Sequence, residues 1–103
     1  MAETIEIVTF RLADGTSNED FVAETALMER NFLGKLKGFM NRDTGISKDG
    51  AVVVNLHWES PEDAQASMDK FVDAEETKAF TAMIQMDTFV MTRYELVDHY
   101  DLG

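Results

Sequence analysis

The chain has no cysteine, which excludes disulfide bridges, thiolate zinc sites and a cysteine nucleophile. It is also poor in positive charge, with nine Lys and Arg against twenty Asp and Glu and a net charge of −11. No cluster of basic residues interrupts that acidity. Lys35 and Lys37 come nearest, and they read as a charge pair at a helix C-terminus. Nucleic acid and anionic membrane surfaces are therefore not expected as partners. No apolar run approaches the roughly 20 residues that span a bilayer. The opening MAETIEIV lacks a basic segment ahead of an apolar one, so no secretory signal is expected. By elimination, the expected location is cytoplasmic. No glycine-rich phosphate loop, His/carboxylate metal spacing or Ser-His-Asp order is present.

What remains is an ordinary globular composition. The chain of 103 residues is 45% hydrophobic and 28% charged, the size of one domain, and no linker divides it. About 60–70% of the unfolded surface can be buried at this length, enough for a modest core.

The periodicity reads as strands and helices in alternation. Thr4 to Leu12 alternates, with Ile5, Ile7 and Thr9 on one face and Glu6, Val8 and Phe10 on the other. Ser17 to Asp20 has the spacing of a capping box, and Phe21, Thr25, Met28, Phe32 and Leu36 continue as a helical stripe ended by Gly38. Phe39 to Ser47 is a polar strand suited to an edge. Lys48-Asp49-Gly50 is a hairpin turn, and Ala51 to Glu59 is a third strand with two substantial faces. Ser60 caps the next helix with Pro61 at its first position; Ala64, Met68, Phe71 and Val72 form its inward stripe. A second box at Asp73 to Glu76 predicts a break and a short helix through Phe80 and Ile84. Asp87 to Val97 is the fourth strand, followed by a polar tail.

The order β-α-β-β-α-β predicts an α+β, ferredoxin-like domain over residues 1–103: a four-stranded antiparallel sheet with helices on one face. The other face then carries apolar and aromatic side chains without a cover. A twin chain laid face to face is the simplest cover, so a homodimer through the sheet is expected.

The run Gly38-Phe39, Arg42, Asp49-Gly50, His57-Trp58-Glu59-Ser60 and Glu62-Asp63-Ala64 resembles the dimeric α+β barrel superfamily. More narrowly it is similar to the antibiotic biosynthesis monooxygenase-like (ABM) domains, in their uncharacterised bacterial branch. The likeness covers nearly the whole chain. It implies the fold, and it implies an activity only loosely, because that superfamily hosts oxygenases, haem-degrading enzymes, isomerases and proteins without known activity. The haem-degrading branch needs a histidine on the helix after the tryptophan and an asparagine on the first strand. Here Met68 stands at the helix position and strand one has no asparagine, so haem turnover is not expected and no cofactor is assigned.

Trp58 ends the third strand on the helix-facing side. In the resembling families a tryptophan there lines a pocket; alone, it is also an anchoring aromatic of the core. Trp58, Asn55, Met68 and Phe71 are the candidate substrate-binding residues, and His57 and Arg93 the candidate catalytic ones. Histidine acts as a base near neutral pH and a guanidinium stabilises developing negative charge. The competing reading of His57, Asn55 and Arg93 is a satisfied polar network at the dimer interface. Two functions follow. One is a cofactor-independent monooxygenase acting on a small hydrophobic or aromatic metabolite. The other is a ligand-binding or structural homodimer without turnover. An enclosed cavity reached by Trp58 and at least one convergent polar group favours the first, and a cavity packed shut by Met68, Phe71 and Met83 favours the second.

Overall fold

A computed structural model describes residues 3–103. The elements run β1 (Thr4–Leu12), α1 (Asn18–Asn31), β2 (Phe39–Ile46), β3 (Ala51–Trp58), α2 (Pro61–Phe71), α3 (Lys78–Ala82) and β4 (Ile84–Glu95). The strands lie in the order β2-β3-β1-β4 with every neighbouring pair antiparallel, which is the ferredoxin-like arrangement expected from the sequence. β2 is an edge and β3 is internal, as their polarity suggested. No helix among the described residues is long and apolar enough to cross a membrane.

The period of two along each strand sorts side chains to the two sheet faces. Val8 and Phe10 of β1, and Val52, Val54, Leu56 and Trp58 of β3, are buried under the helices. α1 contributes Phe21 and Met28 to that layer, and α3 contributes Phe80. The aromatic rings meet mostly edge to face: Phe10 on Phe21, Phe32 on Phe71 and Phe71 on Phe80, with centroids 5.8, 5.8 and 6.1 Å apart. The opposite face, carrying Val53, Val90 and Tyr94, stays exposed.

Helix starts follow the sequence closely. The Ser17 hydroxyl accepts from the Asp20 N–H at 3.0 Å, and Ser60 accepts from Asp63 at 3.1 Å with Pro61 behind it. Helix ends follow it less well. α1 stops at Asn31 and a 3-10 turn covers Leu33–Lys35, so Leu36 lies beyond the helix on extended backbone. The expected box at Asp73 does not cap anything. The N-cap of the next turn is Ala74, without a side-chain bond. Thr77 ties this turn instead, its single hydroxyl proton shared between the Phe71 and Ala74 carbonyls at 2.8 and 3.0 Å. Ile84 opens β4 rather than closing a helix, because the Ala13 N–H reaches the Met83 carbonyl and Leu12 pairs with Ile84. β4 thus begins three residues before the expected Asp87, at the cost of a bulge. Thr88 holds that bulge: its hydroxyl accepts from the Arg11 N–H at 2.9 Å and donates to the Gln85 carbonyl at 2.6 Å.

Gly38 sets the angle between α1 and β2. Its φ is +82°, and a Cβ there would run into the Asp63 carboxylate at the start of α2. Its carbonyl accepts from the Glu59 N–H at 2.8 Å, so the backbone has little freedom to retreat. Gly38→Ala is expected to cost about 2–3 kcal/mol, from the positive φ and the clash together. Urea unfolding followed by circular dichroism measures it. The same change at Gly15, where φ is +85° and a Cβ meets nothing within 4 Å, should cost only about 1 kcal/mol.

Candidate functional site

Between the inner sheet face and the helices lies a cavity of about 350 Å³, at the lower end of the range for small-molecule sites. Its floor is Val8, Phe10, Val54 and Leu56; Met68 and Phe71 of α2 and Phe80 of α3 roof it. Lys78, Val72 and Met86, all exposed, mark its rim. The lining is apolar with a few polar groups, and among the described residues its charged members are Glu6, Arg42 and Lys78.

Glu6 is a carboxylate in the middle of the core, 4% exposed. Burying such a charge is costly unless it is paired and hydrogen-bonded. Two partners do this. The Trp58 indole N–H donates to its Oε1 at 3.3 Å, and the Arg93 Nε donates to its Oε2 at 2.8 Å. The pairing is dictated by register, since β1 places Glu6 opposite Leu56 on one side and Arg93 on the other. Arg93 then reaches α2, its Nη1 donating to the Gln65 side-chain oxygen at 2.7 Å. One carboxylate therefore ties β1, β3, β4 and α2 together.

Arg42 enters the same layer from β2. Its side chain is 3% exposed and its Nη1 donates to Glu29 Oε2 of α1 at 2.8 Å. The guanidinium carbon lies 5.6 Å from the centre of the Phe80 ring, a cation–π placement. Burial pulls the Arg42 pKa down from its ordinary value, and the Glu29 hydrogen bond and charge oppose that pull.

The residues expected at the site separate. Met68 and Phe71 line the cavity. Trp58 is fully buried at its edge and touches the site through Glu6. Arg93 stands behind the same carboxylate. His57 and Asn55 lie on the other sheet face, because they alternate with Leu56 and Trp58 along β3. The expected grouping of His57, Asn55 and Arg93 is thereby corrected: the sheet separates Arg93 from the other two. Met83 is not among the residues lining the cavity, and Met68 and Phe71 leave it open.

Two members were not singled out from the sequence. Glu6 had a readable signal, an acid alternating inward with Val8 and Phe10. Arg42 had none. Simple alternation from Phe39 would send Arg42 outward, but β2 is irregular between Phe39 and Asn41, so Phe39 pairs with Trp58 and Arg42 with Leu56. The bulge reverses the phase.

No protein-family model and no curated protein matches this chain. Solved structures do match it. SnoaB, a cofactor-independent oxygenase from Streptomyces nogalater, aligns with TM-score 0.75 and 13% identity over 96% of this chain and 97% of its own. A monooxygenase of Streptomyces coelicolor, solved in complex with nanaomycin D, gives TM-score 0.75 and 18% identity over 99% and 94%. A dimeric ferredoxin-like protein of unknown function from Thermobifida fusca gives 0.68 and 14% over 92% of each chain. At such identities the likeness is one of fold. The chain has an ABM-like, ferredoxin-like fold.

Removing one partner of the Glu6–Arg93 pair leaves the other charge stranded, whereas replacing both does not. Arg93→Met should lower stability by about 2–3 kcal/mol in urea unfolding, less than for a fully buried pair because Arg93 keeps some exposure. Glu6→Leu combined with Arg93→Met should recover at least half of that loss.

Proposed function

From the ABM-like fold as premise, we propose that the chain forms a homodimer through its open sheet face and handles a small hydrophobic or aromatic molecule in the cavity of each copy. The activity that fits best is cofactor-independent monooxygenation of an electron-rich phenolic compound in the cytoplasm. The cavity of about 350 Å³, apolar and carrying the buried Glu6 carboxylate, is the observation that carries this reading.

The open face supports the dimer. Val53, Val90 and Tyr94 are each about half exposed there. Cross-strand pairing adds Ile5 beside His57 and Ile7 beside Asn55, and the Asn55 Oδ1 is buried without a partner among the described residues. An unpaired buried oxygen is costly and invites a donor from a facing chain. The Thermobifida fusca neighbour is described as dimeric. His57 and Asn55 then belong to the interface, and the charge-handling role falls to Glu6 with Arg93 behind it.

In the proposed reaction, Met68 and Phe71 pack on the ring and Glu6 faces the phenolic hydroxyl. The ionised ring reduces oxygen, and a C–O bond forms at a ring carbon. The O–O bond of the resulting hydroperoxide then breaks. One oxygen stays on carbon as a carbonyl, and the other leaves as water with the hydrogens of the ring C–H and the hydroxyl. This chemistry is supported by the likeness in fold to SnoaB, an oxygenase, and to the Streptomyces coelicolor monooxygenase. A specific observation favours the second reading, binding without turnover: each Glu6 oxygen is already hydrogen-bonded, as in a structural network.

Sedimentation should give twice the 11.6 kDa chain mass, and Val53→Asp on the open face should halve it while leaving the helical signal unchanged. Incubation with a dihydroxynaphthalene under ¹⁸O₂ separates the two readings. One labelled oxygen in the product and one in water supports turnover; oxygen uptake no faster than without protein leaves the binding reading.

A further inference from the structure

Glu6 and Arg42 sit on one row of side chains across the sheet. Arg42 pairs with Leu56, and Leu56 pairs with Glu6. Two strand spacings put their Cα atoms roughly 10 Å apart, with Leu56 as an apolar floor between them. Both line the cavity.

Neither group is used up. A carboxylate offers about four acceptor directions, and Trp58 and Arg93 take one each from Glu6. A guanidinium has five N–H donors, and among the described residues Arg42 donates only through Nη1, to Glu29. Glu29 itself is partly in solvent, whereas the Arg42 side chain is almost wholly withdrawn from it. That leaves a guanidinium largely withdrawn from bulk solvent, with donors that no acceptor among the described residues takes, at a cavity wall. Lys78, the third charged lining residue, cannot take its place: it stands exposed at the rim, 3.3 Å from Glu75.

Resting on the small-molecule reading above, we propose that the cavity is a two-ended slot for a flat apolar ligand, with a hydrogen-bond donor such as a hydroxyl against Glu6 and an anionic or carbonyl oxygen against Arg42. Phe71 and Phe80 pack on the ring system between the two ends. The class is that of two-ring aromatic hydroxy acids and hydroxy ketones, whose oxygen substituents stand at opposite ends. Arg42 sets specificity at one end and Glu6 at the other. A ligand with an acceptor at both ends would set an oxygen against the Glu6 carboxylate, and one with donors at both ends would leave Arg42 unpaired.

Isothermal titration of the purified protein with three probes of one ring system tests this. The probes are 6-hydroxy-2-naphthoic acid, 2-naphthoic acid and 2-naphthol. The hydroxy acid should bind at least tenfold more tightly than either single-ended probe. Arg42→Met should weaken both carboxylates about tenfold and leave 2-naphthol unchanged, with Arg42→Lys in between because it keeps the charge and loses the fork. Glu6→Gln should erase the advantage of the hydroxy acid over 2-naphthoic acid; circular dichroism checks that each variant is folded, and the wild-type ranking needs no variant at all. Equal affinity for the three probes, or an Arg42→Met effect on 2-naphthol as large as on the acids, overturns the two-ended slot and leaves the small-molecule cavity standing. No binding of any probe overturns both.

Discussion

The buried carboxylate of Glu6 is the constraint on which the rest of this molecule turns. A charge inside a core of Phe, Val and Leu must be matched, and the match recruits the indole of Trp58 and the guanidinium of Arg93 from the two strands flanking β1. Arg93 extends the match to α2 through Gln65. The polar network thus orients the one tryptophan, joins three strands and seats a helix over the sheet. It also leaves a polar point facing a cavity whose other walls are mostly hydrocarbon. Replacing such a pair by apolar residues is often harmless to stability.

The second charge under the helices obeys a different logic. Arg42 is matched on one side only, by Glu29, with Phe80 supplying a ring face. Burial without full pairing holds its pKa below the ordinary guanidinium range. The two charged residues come from opposite sides of a row floored by Leu56, and the open face beyond the sheet carries none of this chemistry. The cavity and the uncovered apolar face lie on opposite sides of one sheet: the charged lining on the helix side, Val53, Val90 and Tyr94 on the other. That separation follows from strand alternation alone, since neighbouring residues such as His57 and Trp58 must face opposite ways.

Much of this architecture is legible in the sequence. The elements, their order, the edge position of β2 and both serine caps follow from local rules, because capping and alternation are decided within a few residues. The inward direction of Glu6 was readable too. What escaped were features decided by distant pairing. The start of β4 depends on Leu12 and Ala13, more than seventy residues away along the chain. Its bulge depends on Thr88 finding the Arg11 backbone. The inward turn of Arg42 depends on an irregularity in β2 that no alternation pattern announces. Pairing His57 with Arg93 failed for the same reason: residue types suggested chemistry, and register decided neighbours.

Trp58 is the only tryptophan of the chain, and its indole nitrogen is bonded to the carboxylate that a cavity guest would meet. Its fluorescence is therefore a built-in gauge of Glu6. Emission from a fully buried indole tethered to an anion shifts when that anion is neutralised, displaced or drawn toward another donor. If the cavity takes a guest as proposed, the protein carries its own optical reporter of occupancy, with no second tryptophan to blur the signal.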